Sequence, residues 1–146
     1  MKRRFRAESS LRAATPAPAR RTHWLRLYGA FGLLVLLSAG LASGTVPLWL
    51  GAAYGIAGLI SAALYFNDKR LAETGGWRTS EARLHAIDLA CGIIGGLLAQ
   101  QIFRHKTAKQ PFVALTWLIA AAHGLWLTGL ISGRISLAEL ASFIPG

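Results

Sequence analysis

From Val46 to Phe66 the chain contains no charged residue. A helix needs about 20 predominantly apolar residues to cross the ~30 Å hydrocarbon core of a bilayer. A run of this length buries poorly inside a domain of 146 residues, so it constrains the fold more than any other feature. Two further stretches read the same way. Leu25 to Ala42 is preceded by Trp24 and carries Tyr28, aromatic residues whose rings favour the membrane–water interface. Pro111 or Phe112 to Leu130 is the last clear span, with His123 inside it. An intramembrane histidine is a functional candidate by default, although a single one is best explained by a hydrogen bond between helices. Ser43-Gly44-Thr45 with Pro47 makes a tight connection between the first two spans.

The chain is 53% hydrophobic and yet carries a formal net charge of +10. The two extremes coexist because they are segregated along the sequence, the profile of a small integral membrane protein and not of a soluble basic domain. Residues 1–24 hold Lys2, Arg3, Arg4, Arg6, Arg12, Arg20 and Arg21 against one acid, Glu8. Such a segment cannot bury enough apolar surface to fold alone and is expected to be a disordered cytoplasmic tail. Its charge suits a topology signal and contact with anionic lipid. Charge of this kind would also suit nucleic acid. A cleaved signal peptide fits poorly, because the basic region is too long. The single Cys91 rules out an intramolecular disulfide and is expected to be a small buried hydrophobe.

The polar residues concentrate between Tyr65 and Phe112. The second span runs out into Asn67-Asp68-Lys69-Arg70, and Thr74-Gly75-Gly76 ends it with glycine as the stop. Thr79 or Ser80 caps a new helix with Glu81 in its first turn, where the helix dipole favours an acid. Leu84 to Phe103 is harder to assign. Its uninterrupted apolar core, Leu89 to Ala99, is shorter than a span requires. Gly92, Gly95 and Gly96 weaken it. Both flanking connections are basic: Lys69, Arg70, Arg78 and Arg83 before, Arg104, Lys106 and Lys109 after. A crossing would put one basic connection outside, against the positive-inside rule, whereas a segment that dips in and returns keeps both in the cytoplasm. The dip is favoured, with an ordinary crossing helix as the alternative. Ser136-Leu137-Ala138-Glu139 has capping-box spacing and starts a short amphipathic surface helix.

Glu81, His85 and Asp88 stand at i, i+4 and i+7 and share one helical face. Three chemistries fit this cluster. Arg and Lys near the helix start at Ser80 can hold a phosphate. His85 paired with Asp88 or Glu81 makes an oriented imidazole for acid–base work. Glu81, His85, Asp88 and His105 are also ligand types for zinc or manganese, but they match no tight metal-site spacing. Salt bridges that merely anchor a re-entering chain fit as well, with Arg78, Arg83 and Arg104 as partners for the acids. No Gly-rich phosphate loop, HExxH or nucleophile elbow is present.

Several short pieces in order resemble the DUF1294 family of small bacterial membrane proteins. They are Asp68-Lys69, Trp77-Arg78-Thr79-Ser80-Glu81, Leu84-His85, Gly92, Gly95, Ala99-Gln100, Phe103-Arg104-His105-Lys106-Thr107 and Lys109. The resemblance covers residues 65–112 and implies a membrane location but no assigned activity. Some relatives carry an N-terminal cold-shock domain. This chain has only its basic tail there, so nucleic-acid binding does not carry over. Two departures stand out: Ser80 replaces a proline, and Cys91-Gly92-Ile93-Ile94-Gly95 replaces a Gly-Gly-Trp-Pro-Gly break, which makes an unbroken helix easier.

The expectation is therefore an all-α integral membrane protein of the bacterial inner membrane, with a cytoplasmic N-terminus. Residues 25–146 form one helical domain: three spanning helices, one short Gly-rich re-entrant or third-crossing segment, and a C-terminal surface helix. The expected role is binding an anionic lipid headgroup or phosphorylated ligand at the cytoplasmic interface. Asp68, Lys69, Arg78, Glu81, His85, Gln100, Arg104, His105, Lys106 and Lys109 would form the site. The alternative is an enzyme acting on a lipid-linked substrate with His85 as general base. Membrane lipids are the expected partners, and no cofactor or metal is expected.

Overall fold

Each apolar run becomes a helix whose ends are set by local signals. The computed structural model describes residues 22–77, 79–103, 110–137 and 142, except for the side chains of Thr22 and His23. We number the helices α1 (Thr22–Ala42), α2 (Leu48–Thr74), α3 (Glu81–Ile87), α4 (Ile93–Phe103) and α5 (Gln110–Ile131). A wide π-type turn, Asp88–Gly92, joins α3 to α4. The described residues contain no strand. Among the described residues, four stretches are long and apolar enough to cross a membrane: Trp24–Ala42, Leu48–Thr74, Glu81–Phe103 and Gln110–Ile131. They are compatible with a multi-pass membrane protein. The basic tail up to residue 21 and most of the expected C-terminal surface helix lie outside the described residues.

The expected caps form. Gly75 takes a left-handed φ of 72°, and its N–H returns to the Leu71 carbonyl, closing α2. The Ser80 hydroxyl accepts from the Arg83 N–H at 3.4 Å, and Glu81 occupies the first turn of α3. α2 continues as helix to Thr74, well past the last apolar residue of its run at Phe66.

The stretch 81–103 is not one straight helix. Ala90 (φ −82°, ψ 42°) and Cys91 (φ 75°, ψ 2°) leave helical geometry. The Asp88 carboxyl then lies directly against Cα of Gly96, where an added Cβ would collide with it. Eight residues of continuous helix would separate these positions by about 12 Å. The chain therefore doubles back at Ala90–Cys91. Leu84 of α3 and Ala99 of α4 accordingly share one buried cluster with Tyr65 and Phe112. The sequence departs here from the Trp-Pro break of the family it resembles, and that departure does not straighten the helix. Cys91 adopts the left-handed conformation, at a cost of about 1–2 kcal/mol for a non-glycine residue. It is half-exposed at the reversal, not buried as expected from its apolar surroundings.

Glycine makes the return close enough to pack. A Cβ on Gly95 would run into the backbone of Gly58, so α4 lies almost backbone-to-backbone on α2. From there α4 follows α2 in the same direction: Gln100 reaches Tyr65, and the Phe103 ring meets Phe66 at 5.4 Å between centroids. α1 and α5 run parallel to one another, Gly29 packing on Trp117 and Gly40 on Ile131. The larger core, including Leu33, Leu50, Ile93, Leu97 and Leu127, fills the space between these four elements.

Candidate functional site at the mouth of the hairpin

On α2, Ser61, Tyr65 and Asp68 stand at i, i+4 and i+7 and point into the bundle, all three at 0% exposure. Opposite them, α3 and the turn present Leu84, His85 and Asp88. The Ser61 hydroxyl donates to Asp88 Oδ1 at 2.6 Å, and the Tyr65 hydroxyl donates to Oδ2 at 2.9 Å. Gln100 Nε2 on α4 donates to the Tyr65 oxygen at 3.0 Å and to Thr116 Oγ1 on α5 at 3.4 Å. Thr116 donates in turn to the Phe112 carbonyl at 3.0 Å. One polar chain thus ties the hairpin to α2 and α5. A buried polar group is costly unless bonded, so this chain fixes a single arrangement of the four elements. One atom stays outside it: Gln100 Oε1 is buried and has no hydrogen-bond partner.

Aromatic rings close the cluster. Tyr65 meets Phe112 edge-on with centroids 6.2 Å apart, and the His85 ring lies 4.2 Å from that of Phe112. Arg26 of α1 is also buried, at 3% exposure.

A second polar link holds the tip of the hairpin. His123 Nε2 lies 3.2 Å from the Leu89 carbonyl, and Nδ1 lies 2.5 Å from the Tyr54 hydroxyl. A carbonyl can only accept, so Nε2 carries the proton and Nδ1 accepts from Tyr54. The helix break gives this link its purpose: carbonyls at a helix end lack intrahelical donors. The interhelical hydrogen bond expected of His123 is therefore present. Tyr54, His123, Leu89 and Cys91 line a cavity of about 380 Å³ beside the tip.

Of the residues expected to form the site, Asp68, His85 and Gln100 gather at the mouth and are buried. Glu81 is half-buried in the first turn of α3. Lys69 faces outward and pairs with Glu73 at 3.8 Å, an exposed i,i+4 pair worth about 0.3–0.5 kcal/mol. Arg78, Arg104, His105, Lys106 and Lys109 lie outside the described residues. Asp88 does not orient His85: both its oxygens accept from α2. Sequence reasoning missed Ser61, Tyr65 and Thr116 in this network. Their signal was faint, hydroxyls one turn apart inside runs that otherwise read as lipid-facing filler. It also missed Tyr54 and Arg26.

A 45-residue stretch of the chain is 47% identical to the uncharacterized protein YsdA of Bacillus subtilis (strain 168), covering 31% of this chain and 51% of that protein. The chain therefore spans about half the length of this relative. No solved structure matches. Residues 58–112 match the family described as "Protein of unknown function (DUF1294)". The match begins at Gly58, where α4 touches α2, and ends at Phe112, against His85 and Tyr65. The matched segment thus includes the hairpin together with the half of α2 on which it rests, and it is this region of the chain that is similar to the DUF1294 family.

Proposed function

We propose that α1, α2 and α5 span a bacterial inner membrane around a re-entrant α3–α4 hairpin, with the N-terminus in the cytoplasm. The hairpin gathers cations at the cytoplasmic face, and these bind an anionic lipid headgroup or a phosphorylated ligand. The observation that carries this reading is the fold-back that sets Asp88 against Gly96. It brings the start of α3 and the end of α4 to the same end of the bundle, near Tyr65 and Phe66. In sequence, Arg78 and Arg83 flank the start of α3, and Arg104, Lys106 and Lys109 follow the end of α4. Lys69, Arg78, Arg104, Lys106 and Lys109 supply the charge, and Arg104 is suited to fork-like contact with a phosphate. Asp68 and Glu81 orient the cations, and His85, His105 and Gln100 add hydrogen-bonding capacity. With both connections and the basic tail on one side, that side carries most of the positive charge, as the positive-inside rule requires.

Single cysteines at 69 and 109, in a Cys91→Ala background, test the topology. A membrane-impermeant maleimide should reach both positions from the same side in oriented vesicles. Labelling from opposite sides would overturn the reading. Native mass spectrometry tests the ligand: phosphatidylglycerol should remain bound to the wild type and be lost from an Arg104→Ala, Lys106→Ala variant. Equal retention by both proteins argues against headgroup binding there.

A further inference from the structure

Asp88 sits at 0% exposure where α3 gives way to the reversal. Among the described residues no arginine, lysine or histidine forms an ion pair with it. Its two oxygens bond only to hydroxyls, Ser61 Oγ at 2.6 Å and Tyr65 Oη at 2.9 Å. Gly96 closes the carboxyl from the side, where a Cβ would collide with both oxygens. The titratable and charged groups around it come from several elements. On α2, Tyr65 touches it, Asp68 lies a turn beyond Tyr65, and Tyr54 is held by His123. On α3, His85 precedes it by one turn and stacks on Phe112. Arg26 of α1 is close enough to Tyr65 to interact with it electrostatically. α5 brings His123, whose Nε2–H is committed to the Leu89 carbonyl. The reversal itself adds Cys91, and α4 brings the amides of Gln100 and Gln101 but no titratable group.

We infer that Asp88 is a proton-binding site: its carboxyl holds a proton at neutral pH, and Tyr65 and Gln100 receive the acid O–H by reversing their own hydrogen bonds. This goes beyond the headgroup reading and does not rest on it. A carboxylate taken out of water with no counter-ion costs more than two neutral hydroxyl donors return, and a neutral acid avoids that cost. The acid then needs one acceptor for its O–H, and the polar chain supplies it. In the reversed chain Asp88 Oδ2–H donates to Tyr65 Oη, and Tyr65 O–H donates to the amide oxygen of Gln100. The Gln100 amide already meets Tyr65 at 3.0 Å. Turning it over exchanges nitrogen for oxygen at that place and leaves the heavy-atom positions unchanged. Gln100 Oε1, buried and without a hydrogen-bond partner, thereby gains a donor. The amide nitrogen takes the vacated place, so one unpartnered amide group remains in either direction and the charge on Asp88 decides between them. Ser61 keeps its bond to Oδ1, and Thr116 keeps its bond to the Phe112 carbonyl. The proton arrives from hydronium and leaves water behind, and no other covalent bond forms or breaks. The site suits a proton and not a metal ion. Gly96 and the two hydroxyls crowd the carboxyl, and among the described residues no three His, Cys, Asp or Glu side chains gather to hold a metal. Buried acids that exchange protons inside apolar helical bundles use the same ingredients.

The chain has two aspartates, Asp68 and Asp88. Aspartate isotope-labelled at its side-chain carboxyl carbon therefore reports on two groups, and infrared spectra of the full-length protein in lipid distinguish neutral acid from carboxylate. A labelled neutral-acid band is expected at neutral pH. It should be lost in Asp88→Asn and persist in Asp68→Asn, with folding followed by circular dichroism. Tyr65→Phe should shift it to higher frequency, because the acid O–H loses its acceptor. Raising the pH should convert the band reversibly to carboxylate, equally in sodium and potassium buffers. Labelled carboxylate without neutral acid at neutral pH overturns the proposal. So does a neutral-acid band that persists in Asp88→Asn or stays unmoved in Tyr65→Phe. A titration that shifts with sodium concentration assigns the site to a metal cation and overturns it as well. If one aspartate variant fails to fold, the other makes the assignment, and the wild-type spectrum alone can refute the site.

Discussion

Replacing Tyr65 by phenylalanine removes one oxygen from the centre of the polar chain. The ring stays, so its edge contact with Phe112 is kept. Two bonds go: the donor to Asp88 Oδ2 at 2.9 Å and the acceptor for Gln100 Nε2 at 3.0 Å. The first joins a hydroxyl to a buried carboxyl group and the second joins two neutral groups. In soluble proteins the pair would be worth about 2–4 kcal/mol. In membranes the unfolded state also finds partners, and single interhelical bonds average about 0.6 kcal/mol with a ceiling near 1.7. The expected cost of Tyr65→Phe is therefore about 2 kcal/mol, a roughly 30-fold shift toward the unfolded state. Reversible unfolding in mixed micelles measures it. A double-mutant cycle with Asp88→Ala, which removes both acceptor oxygens, isolates the bond to the carboxyl, with an expected coupling of about 1 kcal/mol. Coupling below about 0.3 kcal/mol, with intact folded protein, would show that the carboxyl does not depend on Tyr65 and would refute the reasoning. Gln100→Leu is the control for the other end. Its Oε1 has no partner to lose, so this change should cost about 1 kcal/mol or less.

Three further outcomes follow from the packing. Gly95→Ala should destabilise by about 1–3 kcal/mol, since its Cβ meets the Gly58 backbone, whereas Gly58→Ala should be tolerated because its Cβ finds only ordinary contact at 3.6 Å; unfolding of both variants checks the asymmetry. Cys91→Gly should stabilise by about 1 kcal/mol by relieving the left-handed φ of 75°, and Cys91→Val should destabilise, read by the same titration. Tyr54→Phe and His123→Leu should each weaken the tip, and the double variant should cost less than the sum of the two, because they share one bond; additive costs would separate them.

Much of the fold was legible because its signals are local. A charge-free run such as Val46–Phe66 must be a helix in apolar surroundings, since every backbone N–H and C=O needs an internal partner there. Gly75 and Ser80 announced their caps through their own backbone preferences and side chains. His123 announced an interhelical bond because an unpaired imidazole inside an apolar run is costly. The site was less legible. Asp68, His85 and Gln100 were recognised as out of place in apolar sequence, but their company was not. Ser61 and Asp88 meet across 27 positions of sequence, and Gln100 and Tyr65 across 35. No spacing rule reaches that far.

The sequence by itself determined which stretches avoid water, where the helices begin and end, and where the positive charge lies. Composition and hydrogen-bonding capacity dictate these, one turn at a time. Only the tertiary structure decided that Asp88 turns to α2 and not to His85. It alone decided that Cys91, a residue with no preference for a left-handed φ, makes the reversal. The physical reason is that the cost of bending the backbone at Cys91 is local, while the gain is not. It comes from glycine-to-glycine contact between α2 and α4 and from hydroxyls on a separate helix reaching a buried carboxyl group.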